Sequence, residues 1–456
     1  MSATSSVSYD ALIIGGGPGG SNAATFLAQA GRRVLVLEKE VFPRFHVGES
    51  LLPYNQEIFR QMGVLPKLEA LGLVKKLGAQ FHLGNGSKSL FLVFSNGCFT
   101  RHTEAFQVER ATFDHLLLNH ARESGAEVRE GWTVARFSSE PDAITVEARD
   151  PEGGSHSFRV SFLIDASGRG NVTGNQEGLR VVHPKLKKLA LFGHFRNVGV
   201  DPGQQGGDTI IVRLEDKWFW LIPLSKEKVS VGCVMDAEEF ARSRCSAEEM
   251  FARTWQSSSV LRERMKHARL LGKLHTTSDF SYRNQRVTGH RLLRVGDAAG
   301  FMDPIFSAGV YLAMYSGRAA ARVITEALTA GTDGGNSITR YGEQIQHSMR
   351  WYWDLVEGYY SKPFLDLFMQ PKDKYKLPAA ITAVLGGELE GGWRIRWRLK
   401  LFFFLVKLQA RFGLLPPLSF APIDPPPSET PMPTGPATQA ETEAVDDRRT
   451  CADIKR

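Results

Sequence analysis

An apolar run, Ala11-Leu12-Ile13-Ile14, passes directly into Gly15-Gly16-Gly17-Pro18-Gly19-Gly20, and this junction restricts the fold more than any other segment of the 456 residues. Four consecutive apolar residues suit a parallel strand buried on both faces, and a helix over Ser21 to Ala30 is predicted to follow. Gly15, Gly17 and Gly20 carry the G-x-G-x-x-G spacing, with Pro18 inside the same loop. Gly15 permits the tight turn, Gly17 lets backbone approach a pyrophosphate, and Gly20 lets the helix pack closely on the strand. The helix N-terminus then presents free N–H groups and partial positive charge to the phosphates. Gly31 ends the helix, and Arg33 to Leu37 reads as a second strand. Glu38 stands at the tip of that strand, about 20 residues beyond the glycines, where an acid that accepts ribose hydroxyls belongs. The segment predicts an α/β fold with a Rossmann-type dinucleotide site.

The length exceeds a typical single core, so two connected domains and an appendage are expected. A net charge of +7 is modest for this length and gives no footprint of a nucleic-acid partner. The positive charge concentrates in Arg394, Arg396, Arg398, Lys400, Lys407 and Arg411, with no acid between them. Cys98, Cys233, Cys245 and Cys451 lack metal or disulfide-framework spacing, which makes a reducing cytoplasm the simplest setting. Met1 to Tyr9 has no basic region or apolar core of a secretory signal. No metal cluster stands out either. His115 and His120 are five apart on a predicted helix, poor geometry for a shared ion.

Residues 8–80, 105–175 and 270–330 alternate strands with helices, as a discontinuous dinucleotide domain would. Residues 81–104 and 176–269 are richer in alternating strands, among them Leu189 to Arg196, Asp208 to Arg213, Trp218 to Pro223 and Lys228 to Met235, and predict an antiparallel substrate-side sheet. Residues 335–415 read as helical and aromatic. Trp351-Tyr352-Trp353 and Tyr359-Tyr360 are candidates to wall a planar-substrate pocket, with core packing the ordinary alternative. Trp393 to Leu405 interleaves cations with apolar residues, a basic amphipathic helix that either touches a membrane or an acidic partner, or docks on the protein's own body; docking is the favoured reading. It is too charged and too short to span a bilayer. Residues 416–456 are Pro-rich and cannot bury enough surface to order themselves.

Two further segments, Leu163-Ile164-Asp165-Ala166-Ser167-Gly168 and Leu292-Leu293-Arg294-Val295-Gly296-Asp297-Ala298-Ala299-Gly300, are apolar strands that end in a small-residue turn with one Asp. Asp297 is placed for a ribityl chain, and Ala298 to Gly300 open toward phosphate. Over roughly residues 8 to 330 the three stations resemble the flavoprotein monooxygenase superfamily with its para-hydroxybenzoate-hydroxylase-like fold, which implies FAD. Within that superfamily, Trp218-x-Trp220-x-Ile222-Pro223 resembles the W-x-W-x-I-P signature of the flavin-dependent halogenases. In a strand, Trp218, Trp220 and Ile222 share a face and form a bulky wall that keeps an organic substrate from the flavin while small anions pass. Pro43-Arg44-Phe45-His46-Val47-Gly48-Glu49-Ser50 resembles the family's P-R-x-H-x-G-E-S segment beside the flavin. Lys75-Lys76-Leu77-Gly78-Ala79-Gln80-Phe81 matches K-x-G-A-x-F, which puts the catalytic lysine at Lys76. Asp303 to Val310 matches the D-P-x-x-S-x-G turn, where Ser307 and the Ala308 and Gly309 amides would form a halide nest. Together with the glycine loop, the resemblance implies cofactor contacts at Arg44, Gly48, Glu49, Ser50, Arg110, Asp165, Gly296, Asp297 and Gly309.

The resemblance implies a halogenase that takes reduced FAD from a flavin reductase or by diffusion. With O2 and chloride or bromide it would make hypohalous acid at the flavin and deliver it to Lys76 for electrophilic halogenation. Lys76 would act as a hydrogen-bonding ammonium or as a haloamine, the second route requiring a desolvated lysine well below its usual pKa of roughly 10.4. Tryptophan-halogenating members carry Glu where this chain has Phe306, which points to phenolic or pyrrolic substrates, free or tethered to a carrier protein, in natural-product biosynthesis. An aromatic hydroxylase and a geranylgeranyl-type prenyl reductase share the fold and stand as rivals. A non-catalytic FAD-binding or lipid-surface module is a third reading.

Overall fold

A computed structural model describes residues 9–278, 281–389 and 392–421. Its first sheet is built around four neighbouring strands, Leu292–Arg294, Ser155–Asp165, Tyr9–Ile14 and Val34–Glu38, each parallel to the next. Both faces of the central strands are buried, which explains their unbroken apolar runs. All four point their carboxyl ends at one edge, so the Gly15 loop, Glu38, Asp165 and Gly296-Asp297 are brought side by side. That edge is where doubly wound sheets bind ligands. The helix Pro18–Gln29 starts inside the glycine loop, three residues earlier than predicted, because Pro18 occupies a first-turn position that needs no N–H. A Cβ on Gly20 would overlap the Gly15 carbonyl oxygen, so the loop closes only with glycine there.

Seven strands form the second sheet, in the order Arg269–Ser278, Lys188–Arg196, Val229–Asp236, Trp218–Pro223, Thr209–Arg213, Gly78–Leu83 and Ser89–Val93. All pairs are antiparallel except Thr209–Arg213 with Gly78–Leu83. The period of two divides its side chains cleanly. Phe219, Leu221, Ile210 and Val212 face outward against Met250, Phe251, Leu261 and Met265 of two covering helices. Trp218, Trp220, Ile222, Ile211 and Phe81 face inward into the main core. Here the observed architecture departs from the sequence reading at two boundaries. Arg269–Ser278, assigned to the dinucleotide unit, is the edge strand of the second sheet; its exposed and polar positions gave no apolar alternation to mark it. Gly78 to Gln80 also belongs to that sheet.

Helices Gly335–Tyr359, Lys362–Phe368, Leu377–Leu385 and Gly392–Phe412 close over the inner face. Tyr359 and Phe368 pack on Phe81, while Ile395, Leu399 and Phe402 bury the inner side of the last helix. No helix among the described residues is long and apolar enough to cross a membrane. Residues 422–456, most of the predicted tail, lie outside the described residues.

The Trp220 indole lies flat on Gly232 of the neighbouring strand, where a Cβ would overlap the ring. Gly232→Ala is expected to destabilise the fold by about 1–3 kcal/mol through overpacking. Thermal unfolding measures this, and an unchanged midpoint would contradict the indole's placement.

Candidate active site

At the carboxyl edge of the first sheet, Glu38 is buried and its carboxylate accepts the Gly16 N–H at 2.6 Å and the Glu40 N–H at 2.8 Å. Two arginines stand nearby. Arg44 faces Gly17, and Arg110 makes a bidentate pair with Asp114 at 2.7 and 2.8 Å while donating to the carbonyls of Val47 and Gly48. Arg44 reaches the same Asp114 at 3.1 Å. This buried carboxylate therefore holds both cations beside the glycine loop. Burial pushes the Asp297 carboxyl up to about 6, with Arg169 and Arg110 drawing it back.

Three predicted cofactor residues have other duties. Asp165 accepts from the backbone N–H and hydroxyl of both Ser167 and Thr173, which uses its two oxygens to fix the turn behind Gly15. Glu49 pairs with His194 at 2.6 Å. Ser50 stands at Lys76.

Lys75 and Lys76 are neighbours on the short strand Val74–Lys76, so they point to opposite sides. Lys75 is exposed and pairs with Glu104, whereas Lys76 is only 2% exposed. Its Nζ donates to Ser50 Oγ at 2.9 Å and to the Leu51 carbonyl at 3.2 Å. Ser50 in turn meets the Thr209 hydroxyl at 2.8 Å, which also accepts from Gln107. Burial drives the Lys76 amine from 10.5 down to about 7, and the charge of Asp208 opposes that fall. Asp208 is itself buried, with its carboxyl pushed up by the same desolvation.

Lys76 opens onto a cavity whose lining is otherwise apolar or hydroxylated, including Phe81, Phe94, Thr209, Phe306, Ser307 and Thr382. Among the described residues, no carboxylate lines it. A second cavity is lined by Gly296, Asp297, Ala308 and Gly309, and Phe306 borders both. The turn preceding the helix Ala308–Ala330 thus spans both, and Ser307 adopts a left-handed conformation at φ 56° to make the corner. Trp218 donates from its indole to the Tyr360 hydroxyl at 2.8 Å, and Tyr360 donates to Asp303 at 2.8 Å. Asp303 also accepts the Ile305 N–H at 3.0 Å. The tryptophan strand is tied to the turn by this chain of bonds. Of the aromatics proposed as pocket walls, Tyr352 lines the second cavity, Tyr359 packs on Phe306 and Tyr360 forms the tie, whereas Trp351, edge-on to His347, and Trp353, stacked on His183, line neither cavity.

A family profile described as an FAD binding domain matches residues 8–350. The 1H-pyrrole-2-carbonyl-[peptidyl-carrier protein] chlorinase of Pseudomonas fluorescens is 31% identical over 415 residues, covering 85% of this chain and 91% of its own. The chain belongs to the flavin-dependent halogenases. A tryptophan 2-halogenase of Chondromyces crocatus is 32% identical, covering 75% of this chain and 66% of its own. The solved structure of the myxobacterial chondrochloren halogenase superposes with a TM-score of 0.72 at 29% identity, covering 87% of this chain and 97% of that one.

FAD is the halogenase's cofactor, and the carboxyl edge fits it. The helix Pro18–Gln29 has no side-chain cap and no acid in its first turn, so its leading N–H groups face the loop unopposed. Arg44 and Arg110 add charge there, and Glu38 ends the second strand, where it would meet a ribose. Sequence reasoning missed Asp114, Thr209, Asp208 and Gln107. Only Asp114 left a signal, four residues after Arg110 on one helix.

The Lys76 shift has a defined consequence for stability. The unfolded chain holds the proton up to about 10.5 and the folded chain only to about 7, so the cost of the buried charge is full below 7 and gone above 10.5. Wild type is expected to gain stability relative to Lys76→Met as pH rises through this window. Urea unfolding of both proteins across the window checks it, and parallel curves would show that Lys76 is not desolvated.

Proposed function

We propose that the halogenase makes hypohalous acid on the flavin side of Phe306 and uses Lys76 on the other side to direct its attack on an electron-rich, single-ring phenol or pyrrole. Bound FAD, when reduced, supplies the two electrons with which O2 and chloride or bromide become hypohalous acid. The observation that carries this reading is the pair of cavities meeting at Phe306, one bordered by the cofactor edge and the other by a buried lysine. Ala308 and Gly309, at the start of a helix, offer free N–H groups for a halide in the cavity that also holds Asp297. To the strand Trp218–Pro223, which lines neither cavity and is tied to the turn through Trp218 and Tyr360, we assign the barrier role of Trp218, Trp220, Ile222 and Pro223 at the flavin face.

Overall, the ring loses a proton and gains halogen while hypohalous acid leaves as water. As an ammonium, Lys76 donates a hydrogen bond that polarises the oxidant. As an amine, it exchanges a proton for halogen, releases water, and then returns the halogen to the ring in exchange for the ring proton. A value of about 7 makes both forms available near neutrality. Among the described residues no carboxylate lines the cavity to take the ring proton, which favours substrates whose own hydroxyl or ring nitrogen activates the attacked carbon. The chlorinase relative acts on a pyrrole borne by a peptidyl carrier protein, and we extend both carrier-borne and free substrates to this chain. A separate flavin reductase completes the electron supply, in the cytoplasm.

Mass spectrometry of phenols, pyrroles and indoles incubated with the protein, FAD, a flavin reductase, NADH, O2 and halide is expected to yield halogen isotope doublets from phenols or pyrroles. Doublets confined to indoles would move the substrate toward that of the tryptophan 2-halogenase relative. Lys76→Ala is expected to abolish these products while FAD binding and aerobic oxidation of reduced FAD persist. Wild-type product formation by that variant would falsify the role given to Lys76.

A further inference from the structure

We propose that the outward face of the helix Gly392–Phe412 seats the halogenase on the headgroup layer of an anionic membrane. The helix has two faces. Ile395, Leu399, Phe402 and Gln409 recur at steps of three, four and seven and are buried against the body, where the Gln409 amide donates to Asp366 at 3.0 Å. This fixes the helix, and it meets the expectation that the segment docks on its own protein. The opposite stripe is left in solvent: Trp393 at 69% exposure, then Arg396, Lys400, Phe404 at 54%, Lys407 and Arg411, again at steps of three and four. Phe412 and Leu414 extend it, at 64% and 49% exposure.

Among the described residues, no carboxylate pairs with the charges on this stripe. The helix contains no acid, and among the described residues Arg394, Arg396, Lys400, Lys407 and Arg411 enter no ion pair. Elsewhere on the surface, exposed Arg33, Arg60 and Arg136 each pair with a carboxylate. Aromatic rings interspersed with cations along one side of a helix about 30 Å long match the bilayer interface, where rings enter the headgroup region and cations meet lipid phosphates. Cations and aromatic rings spread along one helix face, rather than gathered at a point, favour a planar, diffusely anionic partner. Its inner side packs on the helix Leu377–Leu385, whose Thr382 and Leu385 line the Lys76 cavity. Seating on a membrane would therefore bring that cavity near ring compounds that partition into lipid.

Cosedimentation of the full-length, FAD-loaded protein with phosphatidylcholine vesicles, with and without phosphatidylglycerol, tests the proposal. Binding is expected to the anionic vesicles, about tenfold or more stronger than to neutral ones and weakened by salt. Trp393→Ser with Phe404→Ser, and separately Lys400→Glu with Lys407→Glu, should abolish that preference without changing halogenation of a water-soluble phenol. The charge-reversal pair lies wholly at the surface and keeps the test independent of folding. Absence of vesicle binding, equal binding to both vesicle types, or unchanged binding by the charge-reversal variant would overturn the proposal. Capture of an acidic carrier protein by this face in the absence of vesicle binding would assign it to a protein partner instead.

Discussion

Asp303 holds the parts of the site in register. One of its oxygens accepts the Ile305 N–H and shapes the short turn Pro304–Phe306, while the other accepts the Tyr360 hydroxyl, which is itself the acceptor for Trp218. A single buried carboxylate thus joins the turn at the cofactor edge, the end of a C-terminal helix and the tryptophan strand of the second sheet. Burial pushes this carboxyl up to about 6, and bonds from both sides favour its charged form. Hydrogen bonds to a charged group are among the stronger ones in a protein interior. Phe306, between the two cavities, takes its position from this arrangement, so any separation of oxidant from substrate depends on Asp303 before it depends on the tryptophans.

A buried amine is costly, and the fold surrounds Lys76 with partial compensation only. Ser50 and the Leu51 carbonyl accept two of its protons, and Asp208 contributes an opposite charge. Phe94 lies 5.7 Å from Nζ, close enough for a weak attraction to the ring face. None of this restores an ordinary lysine, and the result is a group that exchanges protons near neutrality. The incomplete compensation is therefore what equips Lys76 for either proposed route. Full pairing with a carboxylate would have locked it as an ammonium and filled the cavity wall with negative charge.

The parts legible in the sequence were those written in local spacing. The glycine loop, Glu38 at a strand tip and the alternation of Trp218, Trp220 and Ile222 each depend on residues a few positions apart, and each lies where that spacing put it. The choice of Lys76 over Lys75 also had a local logic, since adjacent strand residues face opposite ways and only one could be buried. The remainder depends on contacts between distant segments. Thr209 and Asp208 reach Lys76 from a strand more than a hundred positions away, and Tyr360 reaches Trp218 from a helix end. Ser50 shows the same limit from the other side. Its motif placed it near the cofactor, but the strand Val74–Lys76 and Thr209 decide which group its hydroxyl meets. The edge strand Arg269–Ser278 escaped because an edge exposes one face and most of one flank, which dilutes the apolar period on which strand recognition relies.

The chemistry of the Lys76 cavity argues for the substrate from what its wall contains. An arene attacked by an electrophilic halogen becomes a cation before it loses its proton, and a cation is disfavoured beside an ammonium in an apolar enclosure. A phenol or pyrrole avoids much of that conflict, because its oxygen or nitrogen accepts the positive charge and can release a proton of its own. The ring heteroatom can then meet Thr209, Ser307 or Thr382, whose hydroxyls are the other polar groups on the wall. Phe306 at the partition is consistent with this economy: a ring that stabilises its own charge does not require a carboxylate there, and an apolar side chain can serve as the boundary instead.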